Sequence, residues 1–291
     1  MSVSAFAGSA VPGPARITVG TLHYRELNRR LKAMVDAGVE QIELRGVFGQ
    51  RYIGTNLRAP VRLTVYGTPG NDLGAFMDGP SIEVFGNAQD GLGNTMNSGR
   101  IVVHGDAGDL LGMSMRGGEI YVRGNVGYRC AIHMKEYEDM RPTVVVGGTA
   151  ADFFGEYMAG GRVVLLGLHL PPGAAHPGSF MGTGMHGGVI YVRGRVDRAR
   201  LGTGVAVREM TDEDWPFVRQ CVHEYVRLFG CGTAGAPGAD AGRRGTAAGE
   251  AGSPAPSGKK ILSAEEILNS PFVVLCPQAL RPFAALYAAR T

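Results

Sequence analysis

A glycine frame repeated through the middle of the chain constrains the fold more than any other feature. Each copy opens on a glycine, has a second six residues on and a third at twelve, and carries apolar residues at offsets eight and ten. The frame fits Gly93, Gly99, Ile101, Val103 and Gly105, then Gly112, Gly118, Ile120, Val122 and Gly124. It returns at Gly155, Gly161, Val163, Leu165 and Gly167, and at Gly182, Gly188, Ile190, Val192 and Gly194. Gly74, Ile82, Val84 and Gly86 keep it with Pro80 in the middle slot, while Leu63, Val65 and Gly67 close an earlier, less regular coil. Val145 and Gly147 close a coil whose start is obscured by the segment GYRCAIHMKEYEDMRP.

The closing glycines 67, 86, 105 and 124 lie 19 residues apart, and later spacings of 23, 20 and 27 place insertions at 125–142 and 168–181. The chain has 46 glycines in 291 residues, about twice the usual share of roughly 7%, and the frame accounts for the excess. Each short strand alternates in and out, so its inward apolar pair leaves water only when coils stack. One strand per repeat between glycine corners is the signature of a solenoid. The expectation is an all-β chain, a right-handed parallel β-helix of about seven coils with flanking helices. The glycines of the frame from Gly74 to Gly194 are expected to supply positive-φ corners.

Met77, Met96, Met115, Met158 and Met185 each follow the opening glycine of a coil by three residues. Such a ladder reads as interior filling, the alternative being the lining of a conduit or groove. Before the repeats, HYRELNRRLKAMVDAG puts Leu27, Leu31, Met34 and Val35 on one helix face with Gly38 placed to end it, so residues 16–45 read as a helix and first strand capping a solenoid at 46–200. Thr211 and Asp214 signal the start of a helix over 211–230, with Trp215, Val218, Val222, Tyr225 and Val226 on its apolar face, expected as a second cap. Residues 231–260 are rich in Gly, Ala, Ser and Pro and read as a flexible linker. Residues 261–291 begin with a capping box, Ser263 with Glu266, and carry PFVVLCP and RPFAALYA, apolar stretches expected to dock.

Several function classes lack their residues. The balance of 29 Lys+Arg against 26 Asp+Glu, with no basic cluster, argues against nucleic acid. No apolar run approaches the ~20 residues of a membrane span and no signal peptide opens the chain, which points to the cytoplasm. Cys130, Cys221, Cys231 and Cys276 have no metal-ligand spacing and read as reduced thiols. GTGMHG matches a dinucleotide fingerprint as a string, but it opens a strand and not a helix. No catalytic, cofactor-binding or metal-ligating residue is expected. The densest polar cluster, His133, Lys135, Glu136, Tyr137 and Glu138, falls in the first insertion, where solenoids place binding loops.

The same register sets Thr64, Glu83, Val102, Tyr121, Val144, Val164 and Tyr191 at the central outward position of successive strands. Five consecutive coils thus turn an apolar or aromatic residue outward, rimmed by Arg100, Glu119, Arg123, Arg162 and Arg193. An apolar stripe with a polar rim is expected to be covered, by a partner chain or by the chain's own 259–291 segment. The candidate partner interface is Val102, Tyr121, Val144, Val164 and Tyr191, with His133, Lys135 and Tyr137 on the insertion.

The stretch GNAQDGLGNTMNSGRIVVHGDAGDLLGMSMRGGEIYVRGNVGYRCAIHMKEY resembles the GXGXG domain, the third domain of the glutamate synthase large subunit, and the likeness covers about residues 16–230. The helix and strand in HYRELNRRLKAMVDAGVEQIELRGVFGQRYIG resemble the archaeal-type version, in which this domain is a separate polypeptide. The resemblance implies a β-helix without an active site: a non-catalytic structural subunit of a complex that transfers the glutamine amide to 2-oxoglutarate and reduces the adduct to glutamate. It also implies partners that carry the chemistry, a class II glutaminase subunit with an N-terminal cysteine nucleophile and an FMN-dependent synthase subunit with FMN and an iron–sulfur cluster. This chain begins Met1-Ser2-Val3 and has no cysteine cluster, so no cofactor is expected in it. The 231–258 linker and the tail depart from the family pattern. The β-helical subunit of formylmethanofuran dehydrogenase and subunits of N-methylglutamate synthase resemble the same repeat, and a free-standing solenoid that binds a protein or glycan is the reading from a different class.

Overall fold

The computed structural model describes residues 13–171, 173–230 and 262–278. Strand β1 (Ala15–Thr18), helix α1 (Tyr24–Asp36) and strand β2 (Gln41–Phe48) lead into β3 (Arg62–Thr68), β4 (Ser81–Phe85), β5 (Arg100–Val103), β6 (Glu119–Val122), β7 (Thr143–Val146), β8 (Ala159–Leu165) and β9 (Gly187–Arg193). These nine strands pair parallel in chain order. After them come β10 (Val205–Glu209), α2 (Trp215–Phe229), α3 (Ala264–Leu268) and β11 (Phe272–Pro277). The chain is a parallel β-solenoid. About six turns separate β3 from β9, so counting strands gives the seven coils read from the sequence and counting turns gives six.

Alternation along each strand builds the core. Ile82, Ile101, Ile120, Val144, Val163 and Ile190 stack in register as one inward column, and Val84, Val103, Val122, Val146, Leu165 and Val192 as another, all buried. This corrects the reading of β7. Val144 points inward and Val145 outward, because Val145 pairs with Tyr121 and Val164. The residue that closes this coil is therefore Gly148, which donates to Gly124 O at 2.8 Å, and not Gly147. A Thr-Val-Val-Val run has no in-out alternation, so nothing local fixes which valines face the core.

The opposite side of each coil is a corner in left-handed backbone. Its middle column is Gly54, Gly74, Gly93, Gly112, Ala131, Gly155 and Gly182, with φ between 60° and 73°. Beyond the φ, space enforces glycine: a Cβ on Gly93 would lie 2.5 Å from Ile120 Cδ1. Ala131 takes the glycine's place in the coil whose start was obscured, and Met134 then joins Met77, Met96, Met115, Met158 and Met185 as a sixth rung. All six are at most 4% exposed within the main core, so the ladder fills the interior. Gly105 and Gly124 differ from the other frame glycines. Neither has positive φ; each is required by close approach, since a Cβ would press on Gly86 O and Asn87 Oδ1 in one case and on Gly105 O and Asp106 Oδ1 in the other.

Leu27 and Leu31 of α1 join the main core, with Met34 and Val35 packed against it. The far end is finished by antiparallel strands: β11 pairs with β9, and β10 with β11. Helix α2 is not the second end cap expected from its amphipathic pattern. It lies across the outward strand face, where Val218, Cys221, Val222, Tyr225 and Phe229 form a second core with Val102, Tyr121, Val145, Val164 and Tyr191. Ile267, Phe272 and Val274 from the C-terminal segment join it. The expected linker at 231–260 lies outside the described residues, as do 279–291.

Candidate functional site

The outward stripe, expected to be covered by a partner chain or by the 259–291 segment, is interior to this chain, covered by α2 together with Ile267, Phe272 and Val274 of the C-terminal segment. Val102, Tyr121, Val164 and Tyr191 are 4%, 2%, 0% and 4% exposed, and Val144 belongs to the main core. Polar contacts lock α2 over the stripe. Tyr191 donates its hydroxyl to Asp214 at 3.0 Å, and Asp214 also accepts from the Arg208 fork and from the amide and hydroxyl of Thr211. These donors, Arg208 foremost, hold the Asp214 carboxyl well below the usual carboxylate range despite its burial. Tyr225 donates to Arg123 O at 2.9 Å across the packed face. Arg100 bridges Glu119 and Glu224, and Glu224, held also by Arg227, is lowered to about 2.

The glycine-corner side carries what the strand face does not, open aromatic rings, in two groups at the first and last coils with Thr95 and Ser114 at the equivalent positions between them. Each coil has three alternating left-handed residues, for example Asp72, Gly74 and Phe76, or Phe153, Gly155 and Tyr157. The middle one packs inward against the next coil; the outer two include Tyr52, Phe76, Tyr157 and Phe180, which are 40%, 49%, 45% and 51% exposed. His133 stacks on Tyr157 with ring centroids 5.5 Å apart, Phe153 on Phe180 at 5.0 Å, and the Arg129 guanidinium sits 5.2 Å from the Phe153 ring. Left-handed backbone costs a bulky residue about 1–2 kcal/mol. The ladder imposes it through bonds such as Phe76 N to Asn94 O and Tyr157 N to Thr183 O, both 2.8 Å. The signal is present in the sequence as aromatic residues two positions either side of the opening glycine, offsets that the inward-facing frame ignores.

The insertion extends this face. It starts after Met134 and not at residue 125, since the coil is regular through Ala131. His133, Lys135 and Tyr137 are exposed, and a bridge between Tyr137 and Met140 closes a small hairpin. Elsewhere the chemistry is quiet. Desolvation pushes the buried thiols of Cys130 and Cys221 up to about 12, so both stay protonated at neutral pH, and Cys276 is a free thiol; Cys231 lies outside the described residues. Burial lowers the pKa of His176, whose Nε2 lies 3.0 Å from Arg193 O. The GTGMHG string lies on a corner and runs into β9, not into a helix. Among the described residues no cluster of His, Cys, Asp and Glu could hold a metal ion, and no helix is long and apolar enough to cross a membrane.

Comparison with known proteins agrees with this architecture. A family model described as GXGXG motif matches residues 32–236. An uncharacterized protein of Methanocaldococcus jannaschii is 40% identical over 271 residues, an alignment that covers 91% of this chain and 93% of the relative. The alternating left-handed corners, the stacked strands behind them and the extent of both matches show that the chain belongs to the GXGXG motif family, that of the glutamate synthase domain its sequence resembles.

Proposed function

We propose that the chain is a non-catalytic subunit of a glutamate-synthase-type complex, a rigid scaffold that holds a class II glutaminase subunit and an FMN-dependent synthase subunit together. In this reading FMN and iron–sulfur clusters reside in the partners. The observation that carries it is the cluster of exposed rings at the last coils, Tyr157 and Phe180, with His133, Lys135 and Tyr137 beside it. Family membership supports the kind of assembly, and the corner face supports where it forms. The outward strand stripe takes no part, being under α2.

The test uses the preference of Asn for left-handed backbone. Tyr157→Asn and Phe180→Asn should change the stability of the isolated chain by no more than about 1 kcal/mol each, because relief of the left-handed strain offsets the loss of the half-buried, stacked ring. The same pair should reduce retention of co-expressed glutaminase and synthase subunits at least tenfold. Unchanged retention would move the partner surface elsewhere on the chain.

A further inference from the structure

A cleft of about 330 Å³ lies where four segments distant in sequence meet: the 97–98 corner, the 117–118 corner, the insertion hairpin at Asp139–Arg141, and the first turns of α2 at Phe217–Cys221. Its volume is in the range of small-ligand sites, which run from about 300 to 1,000 Å³. The insertion builds one wall, so the cleft is peculiar to this coil of the solenoid.

Arg162 lines the cleft. Its Nε is out of solvent with no acceptor, and among the described residues its guanidinium makes no hydrogen bond and no ion pair. Its flat face lies 3.8 Å from the Phe217 ring centroid. Stacking fixes the plane of the fork and leaves its edge unused. Other arginines near the strand face show what is missing. Arg100 holds two carboxylates, and Arg193 is bonded to Ser270 Oγ and Leu166 O. Arg162 as a whole is half-buried, and it is the Nε that is out of solvent; a buried donor without an acceptor carries a desolvation cost that native structures rarely leave unmet.

Among the described residues the other charges around the cleft do not supply the missing partner. Glu119 is engaged by Arg100. Asp139 sits on the exposed hairpin, and Arg141 on the same hairpin is 4.0 Å from Glu136. Gln220 offers a neutral hydrogen-bonding group, Ser98 already donates its hydroxyl to Asp78 at 2.6 Å, and Met140 and Tyr121 add an apolar lining.

We infer that this cleft is a binding site for a carboxylate, with the edge of Arg162 as its fork and Phe217 holding that fork in plane. A planar two-oxygen anion matches the guanidinium edge. The carboxylate comes either from a free small molecule or from an acidic side chain of another protein, and the inference is independent of the scaffold role proposed above.

The experiment titrates the full-length chain with sodium glutarate, and separately with the capped peptide acetyl-Gly-Gly-Glu-Gly-Gly-amide, following the fluorescence of Trp215 two residues from Phe217. Glutaramide and the Gln version of the peptide are the neutral controls. Saturable binding of glutarate and not of the peptide identifies a small-molecule site, and the reverse identifies a protein side chain. Arg162→Met should weaken the probe that binds at least tenfold, and Arg162→Lys should recover only part. Without ligand, Arg162→Met should melt at or above the temperature of the parent, since it removes an unpartnered charge. If neither probe binds saturably, or if binding is equal in Arg162→Met, the inference is overturned. In that case a lower melting temperature for Arg162→Met would assign the guanidinium to stacking on Phe217 alone.

Discussion

At the scale of single residues the strongest determinant is the inward pair of each strand. Ile120 is fully buried between Ile101 and Val144, and its Cδ1 also reaches toward Gly93. Stacked coils cannot collapse into a hole, so Ile120→Ala should cost about 2–4 kcal/mol in chemical denaturation. Glu119→Ala, one position along and half-exposed, should cost less than Ile120→Ala by at least about 1 kcal/mol. Equal losses would mean that the register is wrong. The inward residues are legible because glycine spacing and β-branched alternation both mark them. Val144 is not: with valines at 144, 145 and 146 and two glycines after them, only pairing with Tyr121 and Val164 sets the phase.

Among the elements, α2 is where sequence pattern and structure part most. A helix with Val218, Val222 and Tyr225 on one face announces that it will be buried, not against what. Its docking rests on carboxylates whose pKa values are depressed in the folded state: Glu224, lowered from 4.5 to about 2, and Asp214, below its ordinary 3.8. Such groups stabilise the fold fully above their unfolded pKa and lose that contribution as pH falls toward the folded value. Hydrogen exchange of α2 amides should therefore accelerate as pH drops from about 4 to 2 after correction for intrinsic rates, ahead of those in β5 and β6. Asp214→Asn should weaken this docking at neutral pH by about 1.5–3 kcal/mol, the size of a charge-assisted hydrogen bond, and should flatten the acid dependence. An acid profile identical to the parent would show that Asp214 does not hold the helix. Gly147 has the same dependence on tertiary contact. Its spacing reads as a coil-closing turn, yet its backbone is where the Tyr225 hydroxyl and the Arg123 carbonyl both pack, so Gly147→Ala should lift α2 and disturb the ladder locally after β6, visible as loss of protection in the helix and at that coil edge.

For the molecule as a whole, the interior of the solenoid is filled by six methionines and branched aliphatics, and the buried thiols of Cys130 and Cys221 are held protonated. The isolated full-length chain should be colourless and show neither glutaminase nor glutamate synthase turnover, measured as glutamate release from glutamine and as reductant oxidation with 2-oxoglutarate. Flavin absorbance or turnover by the chain alone would sink the scaffold proposal. The sequence by itself determined the parallel ladder, its period, the methionine column and the capping helix α1, because each is a local rule repeated until neighbouring coils agree. Only the tertiary structure decided that α2 seals the strand face, that Ala131 stands in for a glycine and that Arg162 faces a cleft. Those outcomes depend on contacts between segments as far apart as Arg123 and Tyr225, 102 residues along the chain, where no local periodicity carries information about the partner.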